Sequence, residues 1–423
     1  MNKRLWFLAP LLVIYVLLIL LLENPPKGDE LRYINYASNI INGSYTDVND
    51  PDLSNGPAYP LLLAPFVAFH IDFIAAKFLN GIFVLAGVIF FYRTLCYYTK
   101  TKYAMLIAVA LGLYPPMLWW MTRLYSDAFA FMLINGVVFY FCSAFQTKKK
   151  NWKTCVLASL SLGILVLTKV IFLQVVLVSF LVLGIYLLVR KRYRYRFPLY
   201  ILLGAFLVIT PYIIYTYSVT HKFLYLSTRG GEILYHRTTP FEGEYGNWIS
   251  ETEILEPEQT TTSTIIAYDF AKLKANHRDF YLQLEPLSNM ERDSAFKARA
   301  IDNIKNYPLK FLQNTVTNIG RLLFNYPNSY KAQSLNALGY VVVNGFLFIL
   351  VLLSAYPMMT AWKGVPVEIR MTLFFAFAYC GGMVLLHGKP RYFIMIVPSL
   401  LLGITYVSSN VLKIKFLRPK NQV

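Results

Sequence analysis

Residues 5–22 read LWFLAPLLVIYVLLILLL, eighteen positions without one charge. A run of that length reaches the lower limit for an α-helix crossing a hydrocarbon core of about 30 Å. A signal peptide is the competing reading. It fits poorly, because no small-residue cleavage pattern follows Leu22 and many more apolar blocks come after it.

The remaining chain repeats the pattern. Of 423 residues, 57% are apolar, 16% aromatic and 15% charged, too little charge to coat a soluble protein of this size. Candidate spans lie at roughly 5–22, 75–95, 104–121, 125–143, 154–169, 171–189, 198–217, 337–356, 371–387 and 391–410. The expected fold is therefore all-α and polytopic, with about ten transmembrane helices, in a range of roughly nine to twelve. Tyr59 to Phe69 is apolar but too short to span and holds Pro60 and Pro65, so it reads as a re-entrant or interface-lying helix. Cys96, Cys142, Cys155 and Cys380 have no metal-ligand spacing and read as ordinary apolar-block residues.

Charge orients the spans. Lys3-Arg4, Arg93, Lys100, Lys102, Lys148-Lys149-Lys150, Lys153, the cluster from Arg190 to Arg196, Lys363, Arg370 and the basic residues from Lys413 to Lys420 all fall on one side if the spans alternate. That side should be cytoplasmic, with both termini inside. About half of the 40 basic residues lie there, but of the 22 acidic residues only Glu368 does. The net charge of +18 thus reads as a topology and anionic-lipid signal, not as a nucleic-acid site.

Three units follow. Residues 1–217 form an N-terminal transmembrane catalytic module with a first outer loop at 23–74. Residues 218–336 form a large polar outer loop, with Gly230-Gly231, acidic Glu251, Glu253, Glu256 and Glu258, a threonine run from Thr260 to Thr262, helical spacing over Tyr268 to Leu284 and Arg292 to Lys305, and an amphipathic juxtamembrane helix near Phe311 to Phe324. Residues 337–423 hold the C-terminal transmembrane helices.

Charges at the outer span mouths need a reason to be there. Asp29 and Glu30 follow the first span; their side chains point about 100° apart on a helix and need not share a task. Asp29 reads either as a helix cap or as a base at the membrane boundary. Asp127 opens the fourth span and, four residues after Arg123, would pair with it on a continuous helix. Lys169 lies between two apolar stretches, either snorkelling or binding phosphate. His387-Gly388-Lys389-Pro390-Arg391-Tyr392 concentrates cations on a side where basic residues tend to be excluded. Two carboxylate sites among several cations suit a lipid-linked phosphate donor: cations hold the departing phosphate, and a carboxylate deprotonates an acceptor. A divalent ion held by Asp29 and Asp127 is left open. A transporter or flippase of a lipid-linked or anionic substrate could use the same residue types, with charges nearer the bilayer middle and paired broken helices. No internal repeat supports that second reading.

In these segments the chain resembles the multi-spanning glycosyltransferases that use polyprenyl-phosphate-linked sugars, the GT-C fold, and within it the protein O-mannosyltransferase and lipid A aminoarabinose transferase-like group. The resemblance rests on Asp29-Glu30, Gly56-Pro57-Ala58-Tyr59-Pro60-Leu61-Leu62-Leu63, Arg123-Leu124-Tyr125-Ser126-Asp127, Leu167-Thr168-Lys169 and His387 to Tyr392, in that order. It departs from the family at Asn55-Gly56-Pro57, where many relatives carry His-Pro-Pro or Lys-Pro-Pro. The resemblance implies Asp29 as general base with Glu30 beside it, and Asp127 as helper or metal ligand. It also implies Arg123, Lys169, His387, Lys389 and Arg391 as phosphate-binding residues. Tyr33, Tyr59, Tyr125 and Tyr392 would position donor or acceptor. It implies inversion at the sugar C1, polyprenyl phosphate as the leaving group, and an acceptor hydroxyl or amine on a glycan, lipid or protein. The expected location is the plasma (inner) membrane, with the site outside the cytoplasm.

Overall fold

The structure is a computed structural model that describes residues 3–146, 152–190, 196–255, 270–330 and 336–412. The expected basic clusters at 148–150, 191–194 and 413–420, the threonine run, Glu256, Glu258 and Tyr268 lie outside the described residues. Secondary structure among the described residues is helical. The helices are α1 Ala9–Leu21, α2 Asp29–Ile41, α3 Ala58–Ala68, α4 Phe73–Leu95, α5 Thr101–Gly112, α6 Pro115–Met121, α7 Asp127–Gln146, α8 Trp152–Thr168, α9 Ile171–Arg190 and α10 Arg196–Thr220. They continue with α11 Gly230–Arg237, α12 Glu251–Leu255, α13 Phe270–Leu284, α14 Asn289–Asn306, α15 Pro308–Phe324, α16 Asn336–Thr360, α17 Val367–Leu386, α18 Pro390–Phe393 and α19 Val397–Tyr406.

The expected span count needs correcting. Among the described residues, six helices are long and apolar enough to cross a membrane: α4, α7, α9, α10, α16 and α17. Helices α5 and α6 raise this to seven if they count as one span, bent by 51°. The bend has a local cause: Tyr114 is extended before Pro115-Pro116, which cannot continue the hydrogen-bond ladder of α5. Three other segments expected to span, Leu5–Leu21, Trp152–Thr168 and Val397–Val411, are apolar helices of lesser length. Apolarity located these helices, the second to within two residues at each end, but overstated how many of them are long enough to count as spans. Helix α3 is short, at 11 residues, and runs on past Pro65.

The bundle packs through one large apolar cluster, with Tyr15, Val84, Phe131, Leu165, Phe172 and Ile369 at its centre. A second, smaller cluster lies in the loop unit between α10 and α16. Tyr235, Ile254, Leu273, Tyr281 and Phe296 from α11 to α14 form it. Polar bonds reinforce that small core. Glu244 accepts from His277 at 2.9 Å, Asn276 at 2.8 Å and Tyr330 at 2.9 Å, and also from the Thr239 hydroxyl.

Helix α15 joins the loop unit to the bundle. Its Leu309, Leu312, Val316 and Ile319 are exposed and share one face. Asn314, Asn318 and Arg321 on the other face are buried. Asn318 donates to the Met383 and Val384 carbonyls at 3.1 and 2.6 Å, satisfying the end of α17, and accepts from Gly388 N–H at 2.9 Å. A Cβ on Gly388 would lie 2.5 Å from the Asn318 carbonyl oxygen, so only glycine permits this approach.

Candidate functional site

One polar cavity of about 250 Å³ opens at the end of the bundle next to the loop unit. Its walls carry Asp29, Tyr33, Asp127, Lys169, His387, Lys389, Arg391 and Tyr392, contributed by segments far apart in the chain.

Helix α2 begins at Asp29 after Gly28, whose φ of 57° suits glycine. Asp29 does not cap the helix. Its Oδ1 accepts from Arg32 Nη2 at 2.6 Å and its Oδ2 from Arg391 Nη2 at 2.9 Å. Burial alone would raise the pKa of this carboxyl, but Arg391, Arg32 and Lys389 outweigh it and hold the group well below the usual carboxylate range.

Glu30 points the other way, as the angular offset requires. It is buried outside the cavity walls, accepts from Leu124 N–H at 2.8 Å and Lys27 N–H at 3.2 Å, and has Arg123 Nη1 at 3.9 Å. These bonds fasten the start of α2 to the turn before α7. The expected pairing of Arg123 with Asp127 is replaced by this one. Residues 122–126 form turns rather than a continuous helix, so the four-residue spacing does not place the two on one face. Arg123 is not a wall residue either; its guanidinium lies 5.8 Å from the Trp119 ring.

Asp127 is buried and accepts from Lys169 Nζ at 2.9 Å. Lys169 therefore does not snorkel; its ammonium turns inward at the break between α8 and α9 and lies 5.4 Å from the Tyr392 ring. Gly56 explains how two of the quoted segments meet. A Cβ there would stand 2.1 Å from the Leu167 carbonyl oxygen, so the Gly56-Pro57 backbone lies directly on the Leu167-Thr168-Lys169 turn. Tyr33 bonds Ser126 Oγ at 2.9 Å and accepts from Asn55 at 3.1 Å. Tyr59 sits behind it, edge-on to Tyr33 at 5.2 Å, and donates to Asn80 at 3.2 Å. Tyr125 reaches the site through Arg391, whose guanidinium lies 5.0 Å from its ring.

The turn after α17 supplies the cations. Arg391 donates to Tyr392 Oη at 3.0 Å, and its buried Nε has no hydrogen-bond partner. Lys389 Nζ lies 5.1 Å from the Trp248 ring. Burial and then the neighbouring Arg391 bring the Lys389 ammonium down to about 8. Burial, Lys389 and Arg391 hold His387 well below the usual imidazole range, so it is neutral at pH 7.

Several wall residues have no counterpart among the sequence candidates: Arg32, Asn55, Ser126, Arg229 and Trp248. Arg32 had a readable signal, three residues after Asp29 on one helix face. Arg229 and Trp248 arrive from the loop unit by tertiary packing and had none.

The donor set fits a divalent ion poorly. Both Asp29 oxygens are engaged by guanidinium groups and Asp127 by an ammonium. Among the described residues, no group of three histidine, cysteine or acidic side chains converges.

No protein-family model and no curated protein matches the chain. Among solved structures, the archaeal oligosaccharyltransferase AglB from Archaeoglobus fulgidus, in complex with an inhibitory peptide and a dolichol-phosphate, is similar with a TM-score of 0.51 at 13% identity. The likeness covers 96% of this chain and 50% of that one. ArnT from Cupriavidus metallidurans bound to undecaprenyl phosphate matches with a TM-score of 0.42 at 11% identity, over 96% of this chain and 76% of that one. The chain spans about half the length of the AglB chain it matches. The AglB likeness shows a GT-C-like fold for this chain.

Proposed function

We propose that this protein is an inverting glycosyltransferase. It takes a sugar from a polyprenyl-phosphate donor and passes it to an acceptor hydroxyl or amine on the non-cytoplasmic face of the plasma membrane. One observation carries the reading: Asp29 and Asp127 open onto one cavity with Lys169, Lys389 and Arg391. The 1–217 module and the 337–423 helices supply that chemistry, while the 218–336 loop roofs it and meets the acceptor. Both termini lie in the cytoplasm, following the basic residues.

In the resting site Arg391 donates to Asp29 and Tyr392, and its Nε has no hydrogen-bond partner. A donor phosphate bears acceptor oxygens that compete for Arg391 and Lys389. Drawing Arg391 away relieves Asp29 of the charge that depresses its proton affinity, so donor binding itself prepares the base. The acceptor oxygen or nitrogen then forms its bond to C1 from the face opposite the phosphate. The C1–O bond breaks with its electron pair on the phosphate oxygen, and the acceptor proton passes to Asp29. Lys169, Lys389 and Arg391 stabilise the charge that gathers on the leaving phosphate. Neutral His387 can donate one further hydrogen bond to it. No step is assigned to a metal ion.

The transporter reading gains less support. The carboxylates share one cavity at one end of the bundle, and among the described residues one helix pair is broken, not two matched pairs. The test uses purified protein, a panel of radiolabelled polyprenyl-phosphate sugars and a membrane extract as acceptor source. Label transfer is expected from one donor, reduced by more than about 100-fold in Asp29→Asn. Full activity in that variant removes Asp29 as base, and counterflow of intact donor without transfer restores the transporter.

A further inference from the structure

A second cavity lies away from the candidate site. It is a groove of about 280 Å³ between α7, α9, α10, α17 and α19, walled by apolar side chains such as Phe141, Phe172, Leu183 and Ile201. Among the described residues, Arg370 is the single charged one on its walls. Arg370 stands in the first turn of α17, whereas Leu386 at the other end of that helix belongs to the polar cavity. Sixteen residues separate the two, about 24 Å along the axis.

The Arg370 guanidinium has an unmet need. Its Nε is buried without a hydrogen-bond partner, and its described neighbour is the Trp362 ring at 5.9 Å. A buried donor without an acceptor is unfavourable, and an arginine cannot relieve it by losing its proton. The nearest acid in sequence does not help. Glu368 lies two residues away, about 200° around the helix, and accepts from Tyr98 at 3.2 Å and Gln146 at 2.7 Å.

The groove runs along α17 from Val367 to Tyr379, twelve residues or about 18 Å, comparable to the roughly 15 Å depth of one leaflet, with Arg370 one turn from its end. At its inner end Phe172 and Tyr379 stack with centroids 4.6 Å apart. Ile171 and Met383, one step beyond, belong to the polar cavity instead. Trp362 and Tyr186 flank the charged end, as aromatic side chains do where hydrocarbon meets head groups.

We infer that this groove binds an anionic phospholipid of the leaflet opposite the candidate site, with one acyl chain between α9 and α17 and the phosphate on Arg370. A cation with free donors at the mouth of an apolar slot one leaflet deep selects an amphiphile with a negative head group. The donor lipid does not meet that description while its phosphate lies on Lys389 and Arg391, about 24 Å away. The exclusion of the donor lipid rests on the proposed function, whereas the groove and the unpartnered Arg370 Nε do not.

Native mass spectrometry of the detergent-solubilised full chain tests it, with phosphatidylglycerol, phosphatidylcholine and polyprenyl phosphate as separate probes. Phosphatidylglycerol should be retained at least about 10-fold better than phosphatidylcholine. Arg370→Gln should erase that preference. Val182→Trp, which fills the groove from an exposed position, should lower retention of phosphatidylglycerol without altering the thermal midpoint. Equal retention of the two phospholipids, or a preference that survives both substitutions, overturns the proposal. Displacement of phosphatidylglycerol by polyprenyl phosphate, with polyprenyl phosphate itself lost in Arg370→Gln, assigns the groove to the donor chain and overturns it as well.

Discussion

Asp29 and Lys389 depend on each other through Arg391. The carboxylate is held ionised by two guanidinium groups, while the ammonium is brought near neutrality by burial and by the same arginine. A lysine with a pKa of about 8 carries its charge below that pH and loses it above. Polyprenyl phosphate affinity should therefore fall as pH rises through about 8 in the wild type, once the phosphate's own charge is constant. Lys389→Arg, charged throughout that range, should flatten the profile, which tryptophan quenching by Trp248 can follow. A wild-type profile that is flat from pH 7 to 9 removes Lys389 from phosphate binding. The charged residues that meet in the cavity were legible because charge beside a membrane span is rare enough to stand out. Their pairings were not. Arg123 and Asp127 are four apart, yet the turn at 122–126 sends one to Glu30 and the other to Lys169.

At the scale of elements, contacts between glycine backbones and neighbouring carbonyls hold the site in register. Gly56 against Leu167 sets the turn that carries Lys169, and Gly388 against Asn318 sets the turn that carries Lys389 and Arg391. Gly56→Ala should cost about 1–3 kcal/mol by overpacking and displace Lys169. Gly184→Ala in α9, where a Cβ meets nothing within 4 Å, should be neutral or slightly stabilising. Thermal midpoints of the two variants in detergent check this, and equal midpoints would disprove the packing account. Apolar blocks showed which segments are helices. They did not separate the six long apolar helices from the shorter Leu5–Leu21, Trp152–Thr168 and Val397–Val411, and they did not show the bend at Pro115-Pro116. The bilayer and neighbouring helices set those limits, and neither is written locally in the chain.

Across the whole molecule, the loop unit should begin to respond to acid at a higher pH than the Asp29 cluster does. Burial, and then the nearby His277, lower the His236 imidazole to about 3, so folding excludes a proton that the unfolded chain accepts below about 6.5. Glu244 is lowered to about 2: burial opposes the shift, but the His277, Thr239 and Asn276 bonds prevail. Its stabilisation is present above about 4.5 and is lost as pH falls toward 2. Glu232, raised by burial, works in the opposite direction with a smaller reach. Stability should decline from about pH 6.5 downward, and His236→Gln should remove the upper part of that decline. Hydrogen exchange over α11 and α13, corrected for intrinsic rates, reads it out. Unchanged protection between pH 7 and 5 in the wild type would exclude His236 as the cause. None of this network was foreseen from the sequence, because His236, Glu244 and His277 are separated by up to 41 positions and share no motif.

The exposed stripe of α15 has a mechanical meaning. With the membrane placement proposed for this chain, Leu309, Leu312, Val316 and Ile319 would rest where oil gives way to water, while Asn318 on the reverse face grips the turn that bears Lys389 and Arg391. The helix would then act as a float with the cation turn hung from it, and the altitude of the polar cavity would be set by the waterline of the lipid and not by the lengths of the spans. A bilayer that thickens or thins would leave the cavity at the same depth below the head groups, within reach of whatever is presented there.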